Sequence, residues 1–150
     1  MDDPSTQSGD VLLLECNLDD MTPEALGYAL EQALMAGALD AWFTPVTMKK
    51  SRPAVVFSVL CRPEDGSALR RLLLHETTSL GVRWRRLQRE TAERRGDQVL
   101  TPWGPVRRKL KLLDGAVVSI KPEYEDCARL AREHGVPLRE VVSAAQEAEI

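Results

Sequence analysis

Lys49, Lys50 and Arg52 place three cations within four residues, just ahead of Pro53, where the chain reverses between two segments that read as strands. Upstream, Asp19 and Asp20 set two carboxylates side by side where another strand ends and a helix begins. Oxygen ligands for a divalent cation, with ammonium and guanidinium groups for phosphates, are the two halves of a site for a metal-bound polyphosphate. Arginine offers a planar fork and lysine a point charge, and both suit phosphate oxygens. A third segment, Thr77-Thr78-Ser79, gathers three hydroxyls ahead of Gly81 and Arg83, a set that suits phosphate or ribose.

Each feature also has an ordinary reading. Asp19 and Asp20 can be loop acids that favour the N-terminus of the following helix, an effect of about 0.3–1 kcal/mol. Thr22 already supplies a cap there, however, and Pro23 removes one free N–H. Two adjacent acids also repel, and a divalent cation relieves that repulsion. The basic turn can be a solvated device that blunts a sheet edge. Turn hydrogen bonding accounts for one or two of the three hydroxyls. His75 reads as a cation near a helix C-terminus. Glu123, Glu125 and Asp126 are first-turn acids of a helix, a second carboxylate set, or a patch for a neighbouring subunit. Cys16, Cys61 and Cys127 are odd in number and widely spaced, which fits neither a zinc pair nor a redox pair. They read as small buried groups in a reducing cytoplasm, with a soft-metal role as the alternative.

The elements that must position these residues follow from periodicity. Val11 to Cys16 is a continuous apolar run that ends in charge, read as a central strand. Thr22-Pro23-Glu24 starts a helix whose Leu26, Ala29, Leu30, Ala33 and Leu34 recur at helical spacing, and Gly37 stops it. Asp40 to Met48 and Ala54 to Leu60 suit two strands of a hairpin. Asp65-Gly66-Ser67 opens a second helix, and Val82 to Gln88 is a fourth strand. The order βαββαβ predicts an α+β ferredoxin-like sandwich over residues 11–90. Residues 91–150 are expected to hold a β-hairpin near Val99 to Val106, a further strand at Val117 to Ile120 and two C-terminal helices. Residues 1–10 are polar and are read as a disordered leader.

Hydrophobic residues make up 43% and charged residues 29%, with a net charge of −3. That balance argues against bulk nucleic-acid or anionic-membrane binding while allowing a local basic site. No apolar run approaches the ~20 residues that cross a bilayer. Arginines and lysines from Arg83 to Lys111 form a basic stripe, which raises RNA binding as an option. With two Phe and two Tyr in the chain, the aromatic stacking pattern of RNA-binding sheets is missing. Walker-type and dinucleotide-binding glycine loops are absent, as is a Gly-x-Ser-x-Gly elbow.

Five segments together resemble the C-terminal domain of LarC-type nickel insertion proteins. They are Glu15-Cys16-Asn17-Leu18-Asp19-Asp20-Met21-Thr22-Pro23-Glu24, Ala36-Gly37-Ala38-Leu39-Asp40-Ala41-Trp42, Met48-Lys49-Lys50-Ser51-Arg52-Pro53, Glu76-Thr77-Thr78-Ser79-Leu80-Gly81-Val82-Arg83 and Pro122-Glu123-Tyr124-Glu125-Asp126-Cys127. Their order and spacing across about residues 11–145 make the joint match specific. Ser51 stands where glycine is usual, and Ser79 where threonine is usual. The resemblance implies a CTP-dependent nickel chelatase, a cyclometallase of the lyase class. Such proteins insert nickel into pyridinium-3,5-bisthiocarboxylic acid mononucleotide, giving the nickel-pincer nucleotide cofactor of lactate racemase. It further implies Mg²⁺ or Mn²⁺ as companion ion, a cytidylylated intermediate, a cytoplasmic location, and a separate N-terminal domain as partner. This chain is expected to be the nucleotide-handling part. Asp19 and Asp20 would then hold the metal, Lys49, Lys50 and Arg52 the triphosphate as catalytic cations, and Thr77, Thr78 and Arg83 the phosphate or ribose.

The nickel ligands stay open, with Cys16, His75 and the carboxylates as candidates. A homo-oligomer, trimer or hexamer, is expected from pairing of a basic hairpin with an acidic helix start between subunits. A different class of function is a non-catalytic ferredoxin-like module that binds a small ligand or joins subunits.

Overall fold

The computed structural model describes residues 6–149. Six strands and four helices follow one another as β1 (Thr6–Leu18), α1 (Pro23–Met35), β2 (Asp40–Met48), β3 (Arg52–Cys61), α2 (Gly66–Glu76), β4 (Arg83–Thr101), β5 (Gly104–Leu113), β6 (Ala116–Pro122), α3 (Tyr124–His134) and α4 (Leu138–Glu147). The chain divides into two compact units, one spanning Gly9–Arg89 and one that joins the residues ahead of Gly9 to the chain from Glu90 onward. Residues 1–5 of the expected leader lie outside the described residues, whereas residues 6–10 belong to β1. Polarity suggested a leader there. Asp10, however, is strand, and it pairs with Arg86 at 2.8 Å.

In the first unit the strands lie in the order β2-β3-β1-β4. Antiparallel register sets Leu14 opposite Val59 and Phe43 opposite Phe57. Leu12, Leu14, Cys16 and Leu18 recur with period two and bury one face of β1, matched by Phe57, Val59 and Cys61 of β3. Ala29 and Ala33 of α1, with Leu69 and Leu73 of α2, close over that face. Helix α1 begins as its sequence predicts, with Thr22 accepting from the Ala25 N–H at 3.3 Å and Pro23 in the first turn.

The hairpin turn between β2 and β3 is a left-handed corner. Lys50 has φ 60° and Ser51 has φ 56°. Glycine takes that region without a Cβ penalty, so the expectation of glycine where this chain has Ser51 has a physical basis.

In the second unit β4, β5 and β6 form an antiparallel meander. One sequence expectation changes here. The fourth strand extends from Arg83 to Thr101, well past Gln88. Its charged stretch reads as loop by composition, yet from Glu93 it pairs residue by residue with β5. The turn at Pro102-Trp103 is held by the Thr101 hydroxyl, which donates to the Gly104 carbonyl at 2.8 Å and accepts from the Trp103 N–H at 3.3 Å. Val106 of β5 packs with Cys127, Leu130 and Ala131 of α3 and with Val141 and Ala145 of α4.

Candidate functional site

Alternation along β1 separates core from chemistry. Cys16 and Leu18 point into the apolar layer, while Glu15, Asn17 and Asp19 occupy the other parity of the strand. Arg83, at the start of β4, reaches across to that second set. It donates through Nη1 to Asn17 Oδ1 at 2.8 Å and through Nε to Glu15 Oε2 at 3.3 Å. The Ser58 hydroxyl meets the same Glu15 carboxylate at 3.5 Å.

At the end of the strand the predicted site residues meet. Arg52, the first residue of β3, pairs through Nη1 with Asp19 Oδ2 at 3.1 Å. Asp20 Oδ1 accepts from the Thr78 hydroxyl at 2.5 Å. Three segments far apart in sequence therefore converge on one corner: the acidic strand end, the basic hairpin and the hydroxyl loop. Lys49 and Lys50 sit exposed on the hairpin turn and form no ion pair among the described residues. Thr77 is less available, because its hydroxyl donates to the Leu73 carbonyl at 2.5 Å and finishes helix α2. Ser79 donates to the Gly81 carbonyl at 2.7 Å and so shapes the loop. Beside the corner lies a hollow of about 240 Å³ lined by Asp19, Met21, Leu26 and the Pro53 to Val55 stretch. It is apolar except at its acidic end.

Beneath the loop, burial pushes the Cys16 thiol up, and hydrogen bonds with Thr77 and Ser79 and the charge of Arg83 pull it only partly back. All three cysteines are free and buried. Among the described residues no three His, Cys, Asp or Glu side chains gather into a metal centre. The donor set at Asp19 and Asp20 still fits Mg²⁺ or Mn²⁺, since such ions are commonly held by one or two carboxylates completed by phosphates and water. Binding there would require Asp19 and Asp20 to exchange their present partners. His75 is solvent-exposed beside Glu76, with Nδ1 3.7 Å from Oε1.

Sequence reasoning did not single out Glu15 and Asn17 as the partners of Arg83. The signal was there, in the odd-numbered polar residues that follow the apolar run of β1.

The acidic start of α3 is used within its own unit. Asp126 accepts from Arg107 three times: from Nε at 2.8 Å, from Nη2 at 2.9 Å and from the backbone N–H at 3.0 Å. Glu123 pairs with Lys109 at 2.7 Å. These contacts take up the charges whose pairing between subunits had suggested an oligomer. Arg107 holds the Asp126 carboxyl down to about 2, from an ordinary 3.8. Stability from this contact is complete above pH 4 and is lost as pH falls towards 2. A melting temperature that drops across that window, and drops less in Asp126→Asn, is the expected result. Equal acid sensitivity in the two proteins would contradict it.

The geometry defines an α+β domain with a corner of paired carboxylates and cations at the end of a sheet. The family model for nickel insertion proteins matches residues 1–142, and the chain belongs to that family. A putative nickel insertion protein of Myxococcus xanthus (strain DK1622) is 49% identical over 133 residues, which cover 89% of this chain and 34% of that protein. The pyridinium-3,5-bisthiocarboxylic acid mononucleotide nickel insertion protein of Thermotoga sp. (strain RQ2) is 43% identical over 142 residues, 95% of this chain and 35% of that one. The chain thus spans about a third of the length of the curated relatives it matches. A solved structure of LarC2, the C-terminal domain of a cyclometallase involved in the synthesis of the NPN cofactor of lactate racemase, superposes with a TM-score of 0.87 at 44% identity. That match covers 93% of this chain and 96% of LarC2. A protein from Methanopyrus kandleri AV19 matches with a TM-score of 0.74 at 26% identity, over 94% of this chain and 88% of its own.

Proposed function

We propose that this chain is the nucleotide-handling domain of a nickel insertase acting on pyridinium-3,5-bisthiocarboxylic acid mononucleotide, with Ni²⁺ as the inserted substrate metal and CTP as co-substrate. The observation that carries it is the meeting of Asp19 with Arg52 and of Asp20 with Thr78 at one corner. Asp19 and Asp20 would hold Mg²⁺ or Mn²⁺, an ion that shields phosphate charge when bound. Lys49, Lys50 and Arg52 take the triphosphate and stabilise the charge that develops as pyrophosphate departs. Thr78 and Arg83 orient phosphate or ribose, and Thr77 supports the loop. The apolar hollow beside Asp19 has room for a ring, but not for a whole nucleotide. The strand order β2-β3-β1-β4 with α1 and α2 on one face supports a ferredoxin-like reading of the first unit. In this proposal the domain works in the cytoplasm as a trimer or hexamer, joined to an N-terminal partner domain.

A second reading is a non-catalytic ligand-binding or assembly module. It is favoured by one fact: both aspartates already have partners within the chain, so the corner is satisfied as it stands. A melting-temperature screen with CTP, ATP, GTP and UTP, each with Mg²⁺ or Mn²⁺, separates the two. CTP at 100 times its dissociation constant adds about 2.7 kcal/mol, a rise of several degrees. A rise selective for CTP is expected, and no response to any nucleotide would leave the assembly module standing.

A further inference from the structure

The outward face of the β4-β5-β6 meander is a second basic surface that the proposed nucleotide corner does not use. Val106, Leu110 and Leu112 are buried, whereas Lys109 and Lys111 are exposed, so these lysines stand on the face turned away from the α3 and α4 core. Register then places like charges directly against each other. Lys111 lies opposite Arg94 on β4, and Lys109 lies opposite Lys121 on β6. Like charges facing across an antiparallel pair are destabilising. Two such pairs in neighbouring rows of a chain whose net charge is −3 are a concentrated exception.

The same residues line a hollow of about 260 Å³, together with the Ser119 hydroxyl and a single carboxylate, Glu93. Lys109 is shared with Glu123, but the side chains of Arg94, Lys111 and Lys121 make no ion pair or hydrogen bond among the described residues. Gly96 lies opposite Lys109, and the space above it is open, since an added Cβ would meet only the Arg108 carbonyl oxygen at 3.9 Å. Four cations thus line one concave floor, with Ser119 beside them.

We propose that this hollow binds the phosphate end of a nucleotide, at a site separate from the Asp19–Arg52 corner. The anion would sit among Arg94, Lys111 and Lys121, accept from Ser119, and neutralise the repulsion across the strands. The volume suits one to three phosphates and not a duplex or a base stack, and no aromatic side chain lines it. The phosphate can come from a triphosphate or from a pyridinium mononucleotide. The hollow does not depend on the proposed corner, so each can fail alone.

The test starts from the chain carrying Lys49→Ala, Lys50→Ala and Arg52→Ala, which removes the corner cations. Calorimetry then uses two probes, inorganic triphosphate and nicotinic acid mononucleotide. Saturable binding of either probe is expected, and the tighter one identifies the source of the phosphate. Adding Lys111→Gln and Lys121→Gln should weaken that binding at least tenfold. The same pair should leave the ligand-free melting temperature unchanged or higher, because repulsion is removed. No saturable binding in the starting variant, or equal binding after the glutamine substitutions, overturns the proposal. So does a single-stranded oligonucleotide that competes out the small probes at lower concentration, which would make the face a nucleic-acid surface.

Discussion

CTP titrated with Mn²⁺ into a chain carrying Lys49→Ala, Lys50→Ala and Arg52→Ala is expected to lose the binding that belongs to the corner, and any heat that remains should vanish once Lys111→Gln and Lys121→Gln remove the separate hollow. Hydrogen bonds to charged groups contribute about 1.5–3 kcal/mol each. Losing three removes at least about 4.5 kcal/mol, more than a thousandfold in affinity. The fold should survive. Lys49 and Lys50 are exposed, and an exposed pair such as Arg52–Asp19 is worth about 0–1 kcal/mol. Far-ultraviolet circular dichroism and the melting temperature check that point. An unchanged dissociation constant would show that the triphosphate does not sit at this corner.

Arg108→Ala should be the most destabilising substitution in the second unit. The Arg108 side chain is wholly buried, in register with Val106 and Leu110. Its guanidinium spans Asp97, at 2.9 Å from Nε and 2.6 Å from Nη2. Its Nη1 donates to the carbonyls of Ala145 at 2.9 Å and Ala148 at 2.8 Å, at the end of α4. The Asp97 carboxyl is held below its usual value, chiefly by the hydrogen bonds from Arg108. Alanine would strand one carboxylate and two carbonyls and leave a cavity, a loss of about 3–5 kcal/mol. A domain has only about 5–15 kcal/mol in total. Arg108→Lys should recover little, since one ammonium cannot match a planar fork with five donors. Urea unfolding of the three proteins measures the difference. A loss under about 1 kcal/mol would mean that the network is ornamental.

Much of the first unit was legible because its signals are local and agree with one another. Thr22 and Pro23 announce α1, and the β-branched stretch from Ala54 announces β3. The basic turn between two strand patterns locates the hairpin. The three site segments were legible as types of residue in a plausible order. Their convergence depends on register, which the order of residues does not display. The extension of β4 was hidden because Arg94, Arg95 and Asp97 look like loop until β5 is present to pair with them. Arg108 was hidden for a related reason. In a run of Arg107, Arg108, Lys109 and Lys111, only the parity shared with Val106 and Leu110 distinguishes the buried cation from its exposed neighbours.

The two-residue period of β1 means that its packing and its chemistry cannot be altered separately. A one-residue insertion just ahead of Leu14 would carry the carboxylates into the greasy layer under α1 and α2 and would turn Leu14 and Cys16 out to water. Drift in this strand is therefore confined to whole-pair steps. Insertions and deletions that the loops tolerate should be missing between Leu12 and Asp19.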